Sequence, residues 1–206
     1  MSIPISKRIL DLSLAILGIL ILSPLLLVIS LVVLVNYGTP IIFRQKRPGY
    51  RGKPFMIYKF RSMTEELDAQ DNMLPDELRI TRLGHLLRSF SLDELPELFN
   101  VIRGEMSIVG PRPLLMRYLE RYSPEQARRH EVMPGITGWA QVNGRNALTW
   151  EEKFDLDVWY VDHWSIWLDI KIIFLSIVKV LRREGINQPG QATAEEFMGN
   201  HDARSG

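Results

Sequence analysis

Residues 12–35, LSLAILGILILSPLLLVISLVVLV, decide the architecture: they form an uncharged run interrupted at its middle by Ser23-Pro24. At about 1.5 Å per residue the run makes a helix of roughly 36 Å, against a hydrocarbon core of about 30 Å, so length alone permits a full crossing. The flanks argue for another path. Lys7 and Arg8 precede the run, while Arg44, Lys46, Arg47, Arg51, Lys53, Lys59 and Arg61 follow it, with no acid between Asn36 and Glu65. Basic residues mark the cytoplasmic side of a membrane segment, and here they mark both ends. Pro24 removes one backbone donor and crowds the carbonyl four residues earlier, and Ser23 can re-satisfy the freed groups. The expectation is therefore a re-entrant membrane helix hairpin over residues 1–36, turning at Ser23 and Pro24. An ordinary kinked transmembrane helix stays open, because proline is tolerated there too. A cleaved signal peptide fits poorly, since the run exceeds an apolar region of about 7–15 residues and no small-residue cleavage site follows.

Outside this segment, the 206-residue chain has room for one modest domain, expected over 37–187 and facing the cytosol, with 188–206 a loosely structured tail. A net charge of +1 provides no global field for nucleic acid, and anionic lipid headgroups better explain the basic cluster that follows the apolar run. Cysteine is absent, which removes disulfides, thiol nucleophiles and Cys-based zinc sites and suits a reducing compartment. His85, His130, His163 and His201 show no ligand-like spacing and read as structural or surface residues.

The expected fold class is α/β and mainly helical. Residues 41–43 and 55–60 are β-prone runs separated by Pro48-Gly49 and Arg51-Gly52, which predicts a small β-hairpin carrying Lys59. Residues 65–76 are acidic and read as a surface loop or short helix. Leu83, Leu86, Leu87 and Phe90 recur at helical spacing, and Pro96 suits the first turn of a further helix running toward Ile102. Gly110-Pro111-Arg112-Pro113 reads as a stiff turn, with a helical stretch through Leu114, Leu115, Tyr118 and Leu119 after it. Ser123 before Pro124 reads as a helix N-cap, and 134–145 as a glycine-containing loop. Trp150, Trp159, Tyr160, Trp164 and Trp167 lead into an apolar helix over 170–181 bearing Lys171, Lys179, Arg182 and Arg183. That pattern suits an amphipathic helix at a membrane interface, with a tryptophan-filled core as the alternative.

Chemistry concentrates around the adjacent carboxylates Asp93 and Glu94. Alone they are weak evidence, because Ser91-Leu92-Asp93-Glu94 also fits a capping box in which the acids merely serve a helix start. Their company points elsewhere: Arg88 and Arg103 in the same region, Arg112 between two prolines, Lys59 and Arg61 on the basic strand, and Arg145 at the end of the glycine loop. Arginine forks suit phosphate oxygens, lysine supplies a compact charge, and Mg²⁺ held by a carboxylate shares its remaining positions with substrate phosphates. Neither a GxxxxGK[ST] loop nor a GxGxxG fingerprint is present, so a carboxylate attacking phosphorus is the chemistry left to consider.

Four ordered motifs carry a resemblance: YKFRSM at 58–63, SLDELP at 91–96, GPRP at 110–113, and PGITG at 134–138 continuing to QVNGR at 141–145. From Lys7 to about Met198 the chain resembles the bacterial sugar transferases, specifically the small monotopic phosphoglycosyl transferases that start glycoconjugate assembly on undecaprenyl phosphate. Its shortness and its Gln191-Ala192-Thr193 tail resemble most the members that handle diacetylbacillosamine, which implies an N-acetylated or diacetylated amino sugar. The resemblance implies that Asp93 attacks the sugar-proximal phosphorus of a UDP-sugar, releases UMP and passes the phospho-sugar to the lipid. It further implies that Glu94 helps hold Mg²⁺, that Arg112 contacts the nucleotide or its phosphates, and that Lys59, Arg88, Arg145 and Asp157 line the site. The expected location is the bacterial inner membrane, with catalysis on its cytoplasmic face. Two rival readings are a non-catalytic membrane-anchored module and a glycosyltransferase that liberates UDP.

Overall fold

The structure, a computed structural model, describes residues 3–68, 70–144, 147–182 and 196–199. The apolar run lies within one long helix, α1 (Ile5–Tyr37), which is long and apolar enough to cross a membrane and contains Pro24. The sequence predicts a re-entrant helix hairpin that turns at Ser23-Pro24. The backbone is helical through both residues, and the Ser23 hydroxyl donates to Leu20 O at 2.9 Å, the carbonyl that Pro24 leaves without its backbone donor.

Both halves of α1 pack against the same folded body. Ala15 in the first half joins Phe55, Ile57, Val101 and Met106, while Ile29 and Val33 in the second half join Phe60 and Leu87. Between these contacts Leu17, Leu20, Ile21, Leu27 and Val28 are exposed. The first half is also tied by polar groups. The Lys7 ammonium, 4% exposed, donates to Asp169 Oδ2 at 2.7 Å and to Val109 O at 3.0 Å, and Asp11 accepts from Ser107 Oγ and Ile108 N. Such buried charges persist only when paired and hydrogen-bonded.

The predicted hairpin is present as antiparallel β1 (Ile42–Pro48) and β2 (Pro54–Phe60), with Phe43 opposite Lys59. After the 65–76 loop come α2 (Asp76–Arg79) and α3 (Arg82–Ser89), the latter capped by the Thr81 hydroxyl. Gly84 lets α3 touch the end of the hairpin, since a Cβ there would stand 1.9 Å from Ser62 O. A 3₁₀ turn (Leu92–Glu94) leads into α4 (Glu97–Arg103), with Pro96 at its N-cap.

A second sheet is absent from the sequence reading: β3 (Ser107–Val109) pairs in parallel with β4 (Gly135–Thr137), drawn from the segment expected to be a glycine loop. Two three-residue strands carry too little pattern to be recognised, and the pairing depends on Gly110, whose Cβ would lie 2.1 Å from Met133 O. The stretch after Pro113 forms only a 3₁₀ turn (Met116–Tyr118) where a helix was expected. α5 (Pro124–Ala127) starts at the predicted cap, with a full Ser123/Gln126 capping box. α6 (Trp139–Val142) and α7 (Trp150–His163) follow, then α8 (Ile166–Arg182).

The tryptophans divide between packed and exposed positions. Trp150 and Trp164 pack into apolar clusters, whereas Trp167 is 80% exposed and continues along α8 into exposed Ile170, Phe174 and Ile177. Within the tail, expected to be loose, residues 196–199 pack onto the domain, with Phe197 buried. The remainder of 188–206, including Gln191-Ala192-Thr193, lies outside the described residues.

Candidate active site

The Ser91 capping box does not form. Ser91 takes a left-handed conformation, φ 54°, and its side chain does not cap the following turn, so the Glu94 side chain is not held at the helix start. Glu94 instead accepts from Lys59 Nζ at 2.6 Å and from both Nη atoms of Arg112, one of them at 3.3 Å. This is a bidentate fork on one carboxylate with a lysine beside it, the geometry in which charge-assisted bonds are strongest. Burial pushes Glu94 upward, but Arg112 and Lys59 together outweigh it and hold the carboxyl well below the usual carboxylate range.

Asp93 is equally buried and differently placed. Among the described residues no side chain donates a hydrogen bond to it, while Lys59, Arg88 and Arg112 act on it electrostatically. Burial, and then the Glu94 charge, raise its carboxyl above the usual range. Neighbouring carboxylates whose environments drive their proton affinities apart mark a division of labour: Glu94 is a clamped permanent anion and Asp93 is the more basic, unclamped one.

The hairpin delivers Lys59 from the last pairs of β2, opposite Phe43, and α3 delivers Arg88, which donates to Ser62 Oγ at 3.0 Å and so is braced beside the dyad. Arg112 arrives from the turn between β3 and the 3₁₀ segment, where Pro111 and Pro113 each fix a backbone torsion. Asp157 departs from its expected place. It does not line the dyad but is buried against Arg129, accepting at 2.7 and 3.0 Å, and Arg129 in turn donates to Arg112 O at 2.7 Å. Asp157 sits on α7 inside the domain, so its carboxylate serves an internal guanidinium and reaches the dyad only through Arg112. Arg145 lies outside the described residues.

Three site residues escape the sequence reading. Glu97 is 1% exposed and lies 3.1 Å from Lys59 Nζ, so Lys59 bridges two carboxylates. Its position three residues after Glu94, on the same side of the turn, was the available signal. Burial pushes Glu97 up to about 7. Arg47, on β1, is pulled down to about 10 by burial and by repulsion from Arg112, which places two guanidinium groups near one another. Arg129 carried no signal beyond its neighbour Arg128, which is far more exposed and pairs with Glu125 and Asp162.

No three His, Cys, Asp or Glu side chains gather into a metal cage among the described residues. Magnesium does not require one, because it is commonly held by one or two carboxylates together with substrate phosphates. The ionised oxygens of Glu94 beside the Asp93 carboxylate fit that mode.

The bacterial sugar transferase family model matches residues 3–183 of the chain. The uncharacterized sugar transferase EpsL of Bacillus subtilis (strain 168) is 56% identical over 201 residues, covering 98% of this chain and 100% of that protein. The UDP-glucose:undecaprenyl-phosphate glucose-1-phosphate transferase of Klebsiella pneumoniae is 45% identical over 183 residues, 84% of this chain and 39% of that protein. The undecaprenyl-phosphate galactose phosphotransferase of Salmonella typhimurium is 40% identical over 196 residues, 87% of this chain and 41% of that protein. The chain thus spans about two fifths of the length of the latter two. Since the match runs through the long apolar helix α1, the dyad and the Arg112 turn alike, the chain belongs to the bacterial sugar transferase family.

Proposed function

We propose that the protein is a phosphoglycosyl transferase that moves a sugar 1-phosphate from a UDP-sugar to undecaprenyl phosphate and releases UMP. The observation that carries this reading is the pair of adjacent buried carboxylates with opposite environments, set among Lys59, Arg88 and Arg112. An open, basic carboxylate beside several cations is suited to attack a phosphorus whose negative oxygens the cations hold.

In the proposed first step a carboxylate oxygen of Asp93 bonds to the sugar-proximal phosphorus, and the bond from that phosphorus to the bridging oxygen breaks. UMP leaves with the bond's electron pair, and Asp93 carries the phospho-sugar as an acyl phosphate. In the second step an oxygen of undecaprenyl phosphate attacks the same phosphorus, which frees Asp93. A covalent intermediate lets a water-soluble donor and a lipid acceptor use one carboxylate in turn. Arg112 and Lys59, which neutralise Glu94 without substrate, are placed to exchange part of that contact for phosphate oxygens. Glu94, with its oxygens kept ionised, is the residue placed to hold Mg²⁺, which when bound would neutralise diphosphate charge.

The membrane reading rests on α1. Both of its halves pack on one domain while its middle is apolar and exposed, so we read it as re-entering the membrane through a bend near Ser23-Pro24, with the domain on the cytoplasmic face of the inner membrane. The exposed face of α8 from Trp167 to Ile177 lies in the interface on this reading. The chain has no cysteine, so single Ser6→Cys and Asn36→Cys variants in intact cells both stay unlabelled by an impermeant external thiol reagent. Labelling of either one refutes re-entry.

The relatives named here for a substrate are named for glucose or galactose, whereas the amino-sugar expectation rests on the chain's shortness and its Gln191-Ala192-Thr193 tail, so the donor is to be chosen by a panel of UDP-sugars. Mass spectrometry of the protein incubated with each donor, without lipid, shows a phospho-sugar adduct for the true one. Asp93→Asn forms no adduct and releases no UMP. Undiminished UMP release by that variant, or UDP as the released nucleotide, overturns the proposal.

A further inference from the structure

Phe197 is 4% exposed and enters a ring of aromatic side chains, with ring centroids 4.9 Å from Phe154, 5.6 Å from Tyr118, 5.7 Å from Trp150 and 5.9 Å from Tyr122. The main chain around it is fixed as well. Phe197 N donates to the Tyr118 hydroxyl at 3.1 Å, and the Arg121 guanidinium donates to Phe197 O. Glu196 pairs with Arg117 and with Arg121 at 2.6 and 2.7 Å. A segment near the end of the chain is therefore held by one buried ring and several anchors on the stretch that follows Pro113.

Two of the rings that Phe197 contacts, Tyr122 and Phe154, also carry the Arg129 guanidinium, 5.8 and 5.7 Å from their centroids. Arg129 is 3% exposed and holds Arg112 O at 2.7 Å. Arg112 stands between two prolines, so its backbone has little freedom to absorb a displacement of that contact. The path from Phe197 to the Glu94 clamp is thus continuous: two rings, one buried guanidinium, one carbonyl, one arginine side chain.

We infer that residues 196–198 are a strap that positions Arg112, with Phe197 as a positioning residue acting through Tyr122, Phe154 and Arg129. The inference rests on the reaction proposed above for its kinetic consequence but not for its structural one. Removing the ring loosens the support of Arg129, and the Arg112 fork loses its aim at the dyad. A misplacement on the scale of an ångström in such a group lowers turnover by about tenfold or more.

The test compares full-length Phe197→Ala and Phe197→Leu with the parent protein in detergent micelles, at a temperature where melting curves show each to be folded. Phe197→Ala is expected to lower kcat for UMP release about tenfold while KM for the UDP-sugar moves less than about threefold. Amide exchange is expected to rise at Arg112 and over 128–130 and to stay unchanged in β1 and β2. Phe197→Leu, which keeps most of the apolar volume, restores most of both. Should Phe197→Ala fail to fold, Arg121→Gln, which cuts the anchors of Glu196 and Phe197 at the surface, shows the same changes at smaller size. Exchange that rises only at 196–199, with kcat unchanged, overturns the strap. If the parent protein releases no UMP, the reaction fails, and the exchange pattern at Arg112 still decides the strap.

Discussion

Glu97 is the group in this site most exposed to the ambient pH. Burial, reinforced by Glu94 and opposed by Lys59 and Arg112, moves it from an ordinary 4.5 to about 7 in the folded protein. Below about pH 4.5 the side chain is protonated in both folded and unfolded chains and contributes nothing to their difference. As pH rises from 4.5 to 7 the unfolded chain releases this proton while the folded one retains it, so stability falls, and the loss is complete above about 7. Two and a half pH units at roughly 1.4 kcal/mol each amount to about 3–4 kcal/mol. For a chain of this size about 2–4 °C accompanies each kcal/mol, so the loss is about 6–16 °C in Tm. Glu97→Gln cannot titrate, and its Tm should therefore gain on the parent by that amount between pH 4.5 and pH 8, read from intrinsic tryptophan fluorescence in one detergent. Other groups cancel in the comparison. His130, which burial pulls down to about 4, makes stability rise as pH goes up toward 6.5, and the Glu94 contribution is lost only as pH falls below 4.5, in both proteins alike. Parallel Tm profiles for parent and Glu97→Gln across this range refute the assignment of a raised proton affinity to Glu97.

Arg112→Lys keeps the charge and loses the two-pronged contact with Glu94, and at about 1.5–3 kcal/mol for a hydrogen bond to a charged group it should slow UMP release by about 10- to 100-fold. A change below twofold shows that the fork is dispensable. Lys7→Met leaves the Asp169 carboxylate buried with only the neutral donors Tyr160 and Trp164, at a cost of about 3–5 kcal/mol, so the variant should melt well below the parent, with Lys7→Met/Asp169→Leu regaining part of the difference. A single variant that melts with the parent refutes a buried pairing between α1 and α8.

The features legible in the sequence are those written in consecutive residues. The long apolar helix followed from an uncharged run, the hairpin from two β-prone runs around Pro-Gly and Arg-Gly, and α5 from Ser123-Pro124. The dyad drew notice through its neighbours, and four short motifs identified the family. Propensity and periodicity act over a few residues, so such elements need no knowledge of the rest of the chain.

Which partners the two carboxylates take was decided by tertiary structure. Ser91-Leu92-Asp93-Glu94 reads equally well as a capping box, and only the arrival of Lys59 and Arg112, 35 and 18 residues away in sequence, assigns the Glu94 side chain to a cation clamp. The same holds for Asp157, which pairs with Arg129 instead of facing the dyad, for the β3–β4 pair, and for Lys7, joined to Asp169 across 162 residues. Composition and spacing fix which groups a chain possesses. Their charge state and reactivity depend on burial and on partners that distant segments bring within a few ångströms, because desolvation and ion pairing act through space and not along the chain.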